Sequence, residues 1–400
     1  MSLLGIDVGT TGCKACAFSL EGQLLAFAYE EYDIRRPRPG LAELDAHEVW
    51  NKIKSVIRRV AIATKQSPIQ ALSVSSLGEA MVPVASDGCI LGPSVLAFDV
   101  RGEQYLAGLR SALSDEQLYQ INGNVWGNNY GLTKLKWIQE FQPELYQRTF
   151  KFLLWASFVS FMLGAEPAVD YSLANRTLLF DMQRRTWPAQ LLDVAQIDEP
   201  KLPTPVPTGT EIGLVRTSLA SELGLPARVS IVSGAHDQCA NAVGCGVIHE
   251  GSAMYGMGTF VCITPAFSAR REGAAMMKQG LNTEHHAFPN LYVTFIYNQG
   301  GSLVKWFRDV FAATDRRLFL EAGRDIYPEL FAEMPQGPSS VLVLPHFCQT
   351  GPPDFLGLAW CDRRAASGHY PWRHPQRYRR GDNVLSESMR GRASSHANSH

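Results

Sequence analysis

The chain has 400 residues, 46% of them hydrophobic and 19% charged, enough to bury cores in two domains of ordinary size, which excludes a disordered chain. Its formal net charge of −1 excludes a whole-protein attraction to nucleic acid or to an anionic membrane. The balance is uneven, because residues 361–400 carry eight Arg against Asp362, Asp382 and Glu387, a surplus of five positive charges that leaves −6 for residues 1–360. The opening MSLLGIDVG lacks a basic n-region and reaches Asp7 too early for a signal peptide. The longest apolar run, residues 152–163, falls short of the roughly 20 residues that span a bilayer. Eight scattered Cys read as reduced thiols, so the cytoplasm is the expected compartment.

From the N-terminus, apolar runs over residues 3–7, 14–19 and 23–29 are separated by Gly9-Thr10-Thr11-Gly12 and Glu21-Gly22, which predicts a three-stranded meander. Val49, Ile53, Val56, Ile57 and Val60 recur at helical spacing and predict a helix over 46–64. Strands are predicted at 69–75 and 81–84 around a loop, and helices near 103–113, 114–121 and 132–141. Residues 152–163 read as a buried helix, followed by a turn-rich strand region to 180 and a Pro- and Gly-rich loop over 200–209. A strand at 229–233 passes through Gly234-Ala235-His236-Asp237 into a small-residue helix that ends near Gly244. Beyond it, 253–255, 260–264 and 291–297 are strand-like, 302–312 helical and 341–344 a buried strand. Strands followed by helices thus occur twice, which predicts two α/β lobes meeting near residues 240–250 with a ligand crevice between them.

Four segments carry chemistry. In Gly5-Ile6-Asp7-Val8-Gly9-Thr10-Thr11-Gly12-Cys13-Lys14 a carboxylate ends a buried strand, and Gly9 and Gly12 let backbone N–H groups approach an anion. Thr10, Thr11 and Lys14 can contact phosphate oxygens, and Asp7 can hold Mg2+ directly or through water; an ordinary hairpin would use the same residues merely to turn. In Ser233-Gly234-Ala235-His236-Asp237-Gln238, Asp237 stands where a strand meets a helix. The positive helix end should keep it ionised and able to accept a hydroxyl proton, and a plain N-cap is the competing role. Gly256-Met257-Gly258-Thr259 follows a strand like a second phosphate loop, and Asn298-Gln299-Gly300-Gly301-Ser302 precedes a helix; each alone could be a turn. Two Gly–Thr loops, one in each half, with an aspartate between them point to phosphoryl transfer. Cys13-Lys14-Ala15-Cys16 is not expected to bind metal, since i and i+3 on a strand face opposite sides. His285-His286 and His249-Glu250 are expected at the surface.

Over residues 2–355 the chain resembles the FGGY carbohydrate kinases, in a xylulokinase-like form. The resemblance rests on IDVGTTGCK at 6–14, FDVR at 98–101, TKLKW at 133–137, DYSLANRTLLFD at 170–181, SGAHDQ at 233–238, GMGT at 256–259 and GGSLVKW at 300–306. It implies a two-lobed actin-like, ribonuclease H-like α/β ATPase fold and ATP-dependent phosphorylation of a sugar or polyol hydroxyl, with ATP and Mg2+ as cofactors. By resemblance Asp237 is the general base and Asp7 the Mg2+ ligand. Gly9, Thr10, Thr11 and Lys14 would face the phosphates from lobe one, and Gly258, Thr259 and Gly301 the nucleotide from lobe two. The family's sugar-reading loop falls at Ser75-Ser76-Leu77-Gly78-Glu79, where xylulokinases typically show Gln-Met-His and glycerol kinases Gln-Arg-Glu; this chain keeps only Glu79 of the latter pattern. Glu79, Asp99, Asn129 and Gln238 are the candidate sugar contacts. The expected partner is a small-molecule sugar or polyol, a xylulose-like ketose first, with no nucleic acid and no membrane; a homodimer is left open. A glycerol, gluconate or other polyol kinase and a non-catalytic sugar-binding remnant are the alternatives.

After Phe355 the family pattern stops, although its second lobe should continue into a Gly-rich segment that grips adenosine. Read one base later, Trp360-Cys361 and Trp372-Arg373 must each give Gly. Permitted choices from Leu356 to Glu387 then spell a strand, a Gly-Leu turn and a helix ending in Glu-Gly, like the family's next segment. A single-base frameshift near residue 356 is therefore expected. It divides the chain into a sugar, phosphate and base lobe at 1–245, a partial nucleotide lobe at 246–355 and an aberrant tail without a packed core at 356–400, with activity impaired.

Overall fold

The sequence alternation in the first thirty residues builds β1 (Ser2–Val8), β2 (Gly12–Ser19) and β3 (Leu24–Glu31), an antiparallel meander that pairs Asp7 with Lys14 and Cys16 with Phe27. Leu4, Ile6 and Val8 point to one side of β1 and are buried there. Helix α1 (Ala46–Ala63) covers that side with Val49, Ile53, Val56, Ile57 and Val60, and Asp45 caps it by accepting from the N–H groups of His47 and Glu48. This is a computed structural model, and it describes residues 1–257, 260–270, 274–335 and 337. The expected strand at 341–344 and the expected tail lie outside those residues.

Next come β4 (Ile69–Ser76), β5 (Met81–Val84), α2 (Leu106–Ala112), α3 (Asp115–Asn122) and α4 (Gly131–Phe141). The run at 152–163 is not one helix. It divides into β6 (Lys151–Leu154), antiparallel to β5, and α5 (Trp155–Leu163). Both pieces are buried, so their apolar run has no period that could tell strand from helix. A short helix, α6 (Tyr171–Asn175), is capped by Asp170; β7 (Glu211–Leu214), β8 (Ser230–His236) and α7 (Asp237–Gly244) follow.

The main sheet has the order β7-β8-β4-β1-β2-β3. Strands β1, β4 and β8 are parallel and in register at their ends: Val8 lies beside Ser76, and Ser76 beside His236. In such sheets ligands bind beyond the carboxyl ends of the strands, and three chain segments reach that edge together here. A bulge between Val232 and Ala235 lets β8 press against β4. A Cβ on Gly234 would lie 1.8 Å from the Val74 carbonyl oxygen, so only glycine fits.

The later strands are β9 (Ala253–Met257), β10 (Phe260–Phe267), β11 (Tyr292–Val293) and β12 (Ile296–Gln299), before helix α8 (Gly301–Val310). The strand expected at 291–297 is broken at Thr294-Phe295. There the Thr294 hydroxyl and the Phe295 N–H donate to Asn282 Oδ1, at 3.0 and 2.9 Å, instead of extending a ladder. His285 and His286 are buried, contrary to the surface expectation. Their Nε2 atoms sit 2.9 Å from the carbonyls of Met182 and Val247 respectively.

Candidate active site

Asp7 is the penultimate residue of β1, and its two oxygens are held differently. The Ser75 hydroxyl of β4 donates to Oδ1 at 2.7 Å, and Lys14 Nζ lies 3.2 Å from Oδ2 across the hairpin. The turn between β1 and β2 is clamped: Gly9 N–H donates to Gly12 O at 2.9 Å, and Tyr32 Oη donates to Gly9 O and Gly12 O at 2.6 and 3.0 Å. Thr10 is half-buried, whereas Thr11 and Lys14 are exposed beside the strand ends. A fixed turn with hydroxyls, an ammonium and a carboxylate offers both charges that a metal–phosphate group needs.

Asp237 opens α7, but it is not the cap; His236 holds that position and no side chain caps the helix. The N-cap alternative for Asp237 therefore falls. Burial, followed by the carboxylates of Asp7 and Glu79, pushes the Asp237 carboxyl up to about 7, against weaker help from the Gln238 N–H and Arg176. The expectation that the helix end keeps this group ionised is corrected, because burial and two neighbouring carboxylates outweigh the dipole of an eight-residue helix. His236 Nε2 is 3.3 Å from Asp237 Oδ1, and burial holds its imidazole neutral. The His236 ring packs edge-on against Phe295 at 5.2 Å, and its backbone N–H donates to Ser172 Oγ at 2.9 Å. Ser172 in turn donates to Asp170 at 2.6 Å, which ties the residue before the base to the cap of α6.

Arg176, just past α6, fills the space that Gly78 leaves; a Cβ there would come within 3.1 Å of both Arg176 and His236. Arg176 Nε donates to Glu79 Oε1 at 2.7 Å, its Nη2 reaches the same oxygen, and its Nη1 donates to Glu284 Oε1 at 2.6 Å. Tyr130 and Phe295 lie against the guanidinium, with ring centroids 5.0 and 5.8 Å away. Asn282 Nδ2 supports Glu284 Oε1 at 2.5 Å, while Glu284 Oε2 is buried without a hydrogen bond. Glu79 adopts a left-handed backbone, φ 61°, a strained state for this residue that turns its carboxylate toward Arg176.

The other expected residues fall elsewhere. Asp99 is buried, and both its oxygens serve the scaffold: they accept from Ala42 N at 2.6 Å, Arg101 N at 2.8 Å, Arg101 Nε at 2.9 Å and Arg101 Nη2 at 2.7 Å. Lys134 fastens this corner by donating to the carbonyls of Asp99, Arg101 and Asn128 at 2.7, 2.9 and 2.7 Å. Asn129, half-buried, precedes Tyr130 of the Arg176 wall, and Gln238 is half-buried in the first turn of α7. Gly301 begins α8; Gly258 and Thr259 lie outside the described residues. Among the described residues no cluster of three His, Cys, Asp or Glu could hold a metal by itself. The donor chemistry still fits Mg2+, which takes one or two carboxylates and completes its shell with water and phosphate, and Asp7 faces that role with Asp237 as its neighbour. Sequence reasoning missed Arg176, Glu284, His236 and Ser75; Arg176 lies inside the block at 170–181, whereas Glu284 sits in a two-residue strand too short to show a pattern.

Residues 2–244 match the N-terminal domain of the FGGY family of carbohydrate kinases. The chain belongs to that family. The xylulose kinase of Lactococcus lactis is 26% identical to this FGGY chain over 313 residues, 77% of the chain and 61% of the relative. The gluconokinase of Bacillus subtilis is 26% identical over 333 residues, 82% of the chain and 63% of the relative. The crystal structure of xylulose kinase from Rhodospirillum rubrum superposes with a TM-score of 0.76 at 25% identity, over 87% of the chain and 70% of that structure. The FGGY fold is thereby shown, and the chain spans about 61% of the length of the first curated relatives it matches. Among the described residues no helix is long and apolar enough to cross a membrane.

Proposed function

We propose that this chain carries the sugar-binding and base-bearing part of an ATP-dependent carbohydrate kinase, acting on a hydroxyl of a sugar or polyol and on a xylulose-like ketose first. The observation that carries the reading is Asp237: an uncapped carboxylate at the end of a central strand, titrating near 7, beside Asp7 and the clamped Gly9–Gly12 turn. A base that titrates near neutrality accepts a hydroxyl proton efficiently at physiological pH. The hydroxyl oxygen attacks the γ-phosphorus of ATP, its proton passes to Asp237, and the bond to the β-phosphate oxygen breaks to release ADP. Asp7 would hold Mg2+, which supplies charge neutralisation for the phosphates. Lys14, Thr10 and Thr11 orient phosphate oxygens, and Glu79, Asn129 and Gln238 orient the sugar. On this reading residues 1–245 form the sugar and phosphate lobe and 246–355 part of the nucleotide lobe. The expected frameshift after Phe355 makes turnover by these 400 residues weak or nil while sugar binding persists.

Coupled ADP release and calorimetry separate those two properties. Asp237→Asn should lower any turnover by about 10²–10⁴-fold with sugar binding retained within a few-fold. Full turnover by Asp237→Asn would overturn the assignment of the base.

A further inference from the structure

The family contains kinases named for a neutral ketose and for an aldonate, and the charge layout of this site separates the two. We infer that the sugar site selects a neutral polyhydroxylated substrate and rejects aldonates, because Glu79 and Glu284 together occupy the guanidinium of Arg176; the inference rests on the sugar-kinase reading above.

All three nitrogens of that guanidinium are engaged. Two of its nitrogens meet Glu79 Oε1, a third meets Glu284 Oε1, and Tyr130 and Phe295 lie against it. Lys14, the other cation at the strand ends, already pairs with Asp7. Lys134, within electrostatic reach of Glu79, donates to three backbone carbonyls, so among the described residues the four carboxylates Asp7, Glu79, Asp237 and Glu284 face three cations that are all engaged. A fifth carboxylate brought by the substrate would meet repulsion with no unpaired cation among the described residues of the site to answer it. Hydroxyl groups face the opposite situation. Both hydrogen bonds from Arg176 to Glu79 end on Oε1, so Oε2 is left to accept from a hydroxyl donor, a role a substrate carboxylate cannot fill. Glu284 is the specificity element. It is fully buried, is supported by Asn282, and arrives from a chain segment separate from the base and the phosphate turn.

The test is calorimetric titration of the 400-residue protein at pH 8 with D-xylulose, D-xylitol, D-xylonate and D-gluconate. The two neutral compounds should bind at least a hundredfold more tightly than the two carboxylates. Glu284→Gln, which keeps the side-chain shape and frees part of the guanidinium, should narrow that ratio at least tenfold. Aldonate binding within threefold of the neutral compounds overturns the inference and leaves the kinase reading intact. A ratio unmoved by Glu284→Gln in a folded variant also overturns it. Absence of binding by all four compounds overturns the sugar-site reading, and the inference with it.

Discussion

At the scale of single residues, Asp237 sets the pH behaviour. Its carboxyl is pushed up to about 7, so the residual rate with saturating sugar should rise as pH increases from 6 to 8 and level off above, read by a coupled assay across that range. Stability should move the opposite way. A carboxyl whose folded value lies above its unfolded value, ordinarily about 3.9, binds its proton more tightly when folded, so stability falls as pH rises from about 4 to 7. Asp237→Asn should flatten that slope in urea titrations. His236 acts through this base as a positioning residue. His236→Phe keeps a ring against Phe295 but removes the ring nitrogen 3.3 Å from Asp237, so the acidic limb of the residual rate profile should shift to higher pH, with the rate at pH 6.5 lowered about three- to tenfold. An unchanged limb would make His236 a packing residue only. The sequence disclosed Asp7, Lys14 and Asp237 because each stands at a predicted turn or strand end, and Glu79 only through the family resemblance. It could not disclose that Asp99 is consumed by Arg101 and Ala42, because a buried Asp in a loop reads the same whether its partner is a ligand or the scaffold.

At the scale of elements, function depends on three strands ending level. That alignment needs β8 to lie unusually close to β4, where the Gly234 Cα faces the Val74 carbonyl. Gly234→Ala must push the strands apart and should cost about 3 kcal/mol or more in chemical denaturation, with loss of sugar binding as His236 and Asp237 shift. Wild-type stability in that variant would contradict the close approach. The meander, α1 and the strand–helix passage into α7 were legible, since alternation, helical spacing and glycine turns all agree there. Residues 152–163 and 291–297 were not. In the first, burial on every side erases the period; in the second, Asn282, nine residues before the strand, captures the hydrogen bonds that would have continued it.

At the scale of the molecule, the stretch 281–286 ties the later strands to the first 182 residues. Tyr119 Oη lies 3.1 Å from both the Leu281 carbonyl and the Thr283 hydroxyl, Thr283 N–H donates to Gly123 O at 2.8 Å, and His285 N–H donates to Asn175 Oδ1 at 3.1 Å. Tyr119→Phe should destabilise the protein by about 1–2 kcal/mol in urea titration and loosen Glu284, so sugar affinity should fall together with stability. Loss of stability with unaltered affinity would uncouple the tie from the site. The same tie explains how a family with one reaction could hold many substrates. Glu284 reaches the sugar end from a stretch that carries neither the base nor the phosphate turn, so the two ends of the cleft are free to diverge independently. A glutamate codon becomes a glutamine codon by one base change, so on the proposed reading a single mutational step relaxes the charge discrimination at this end while the base and the phosphate turn stay unchanged.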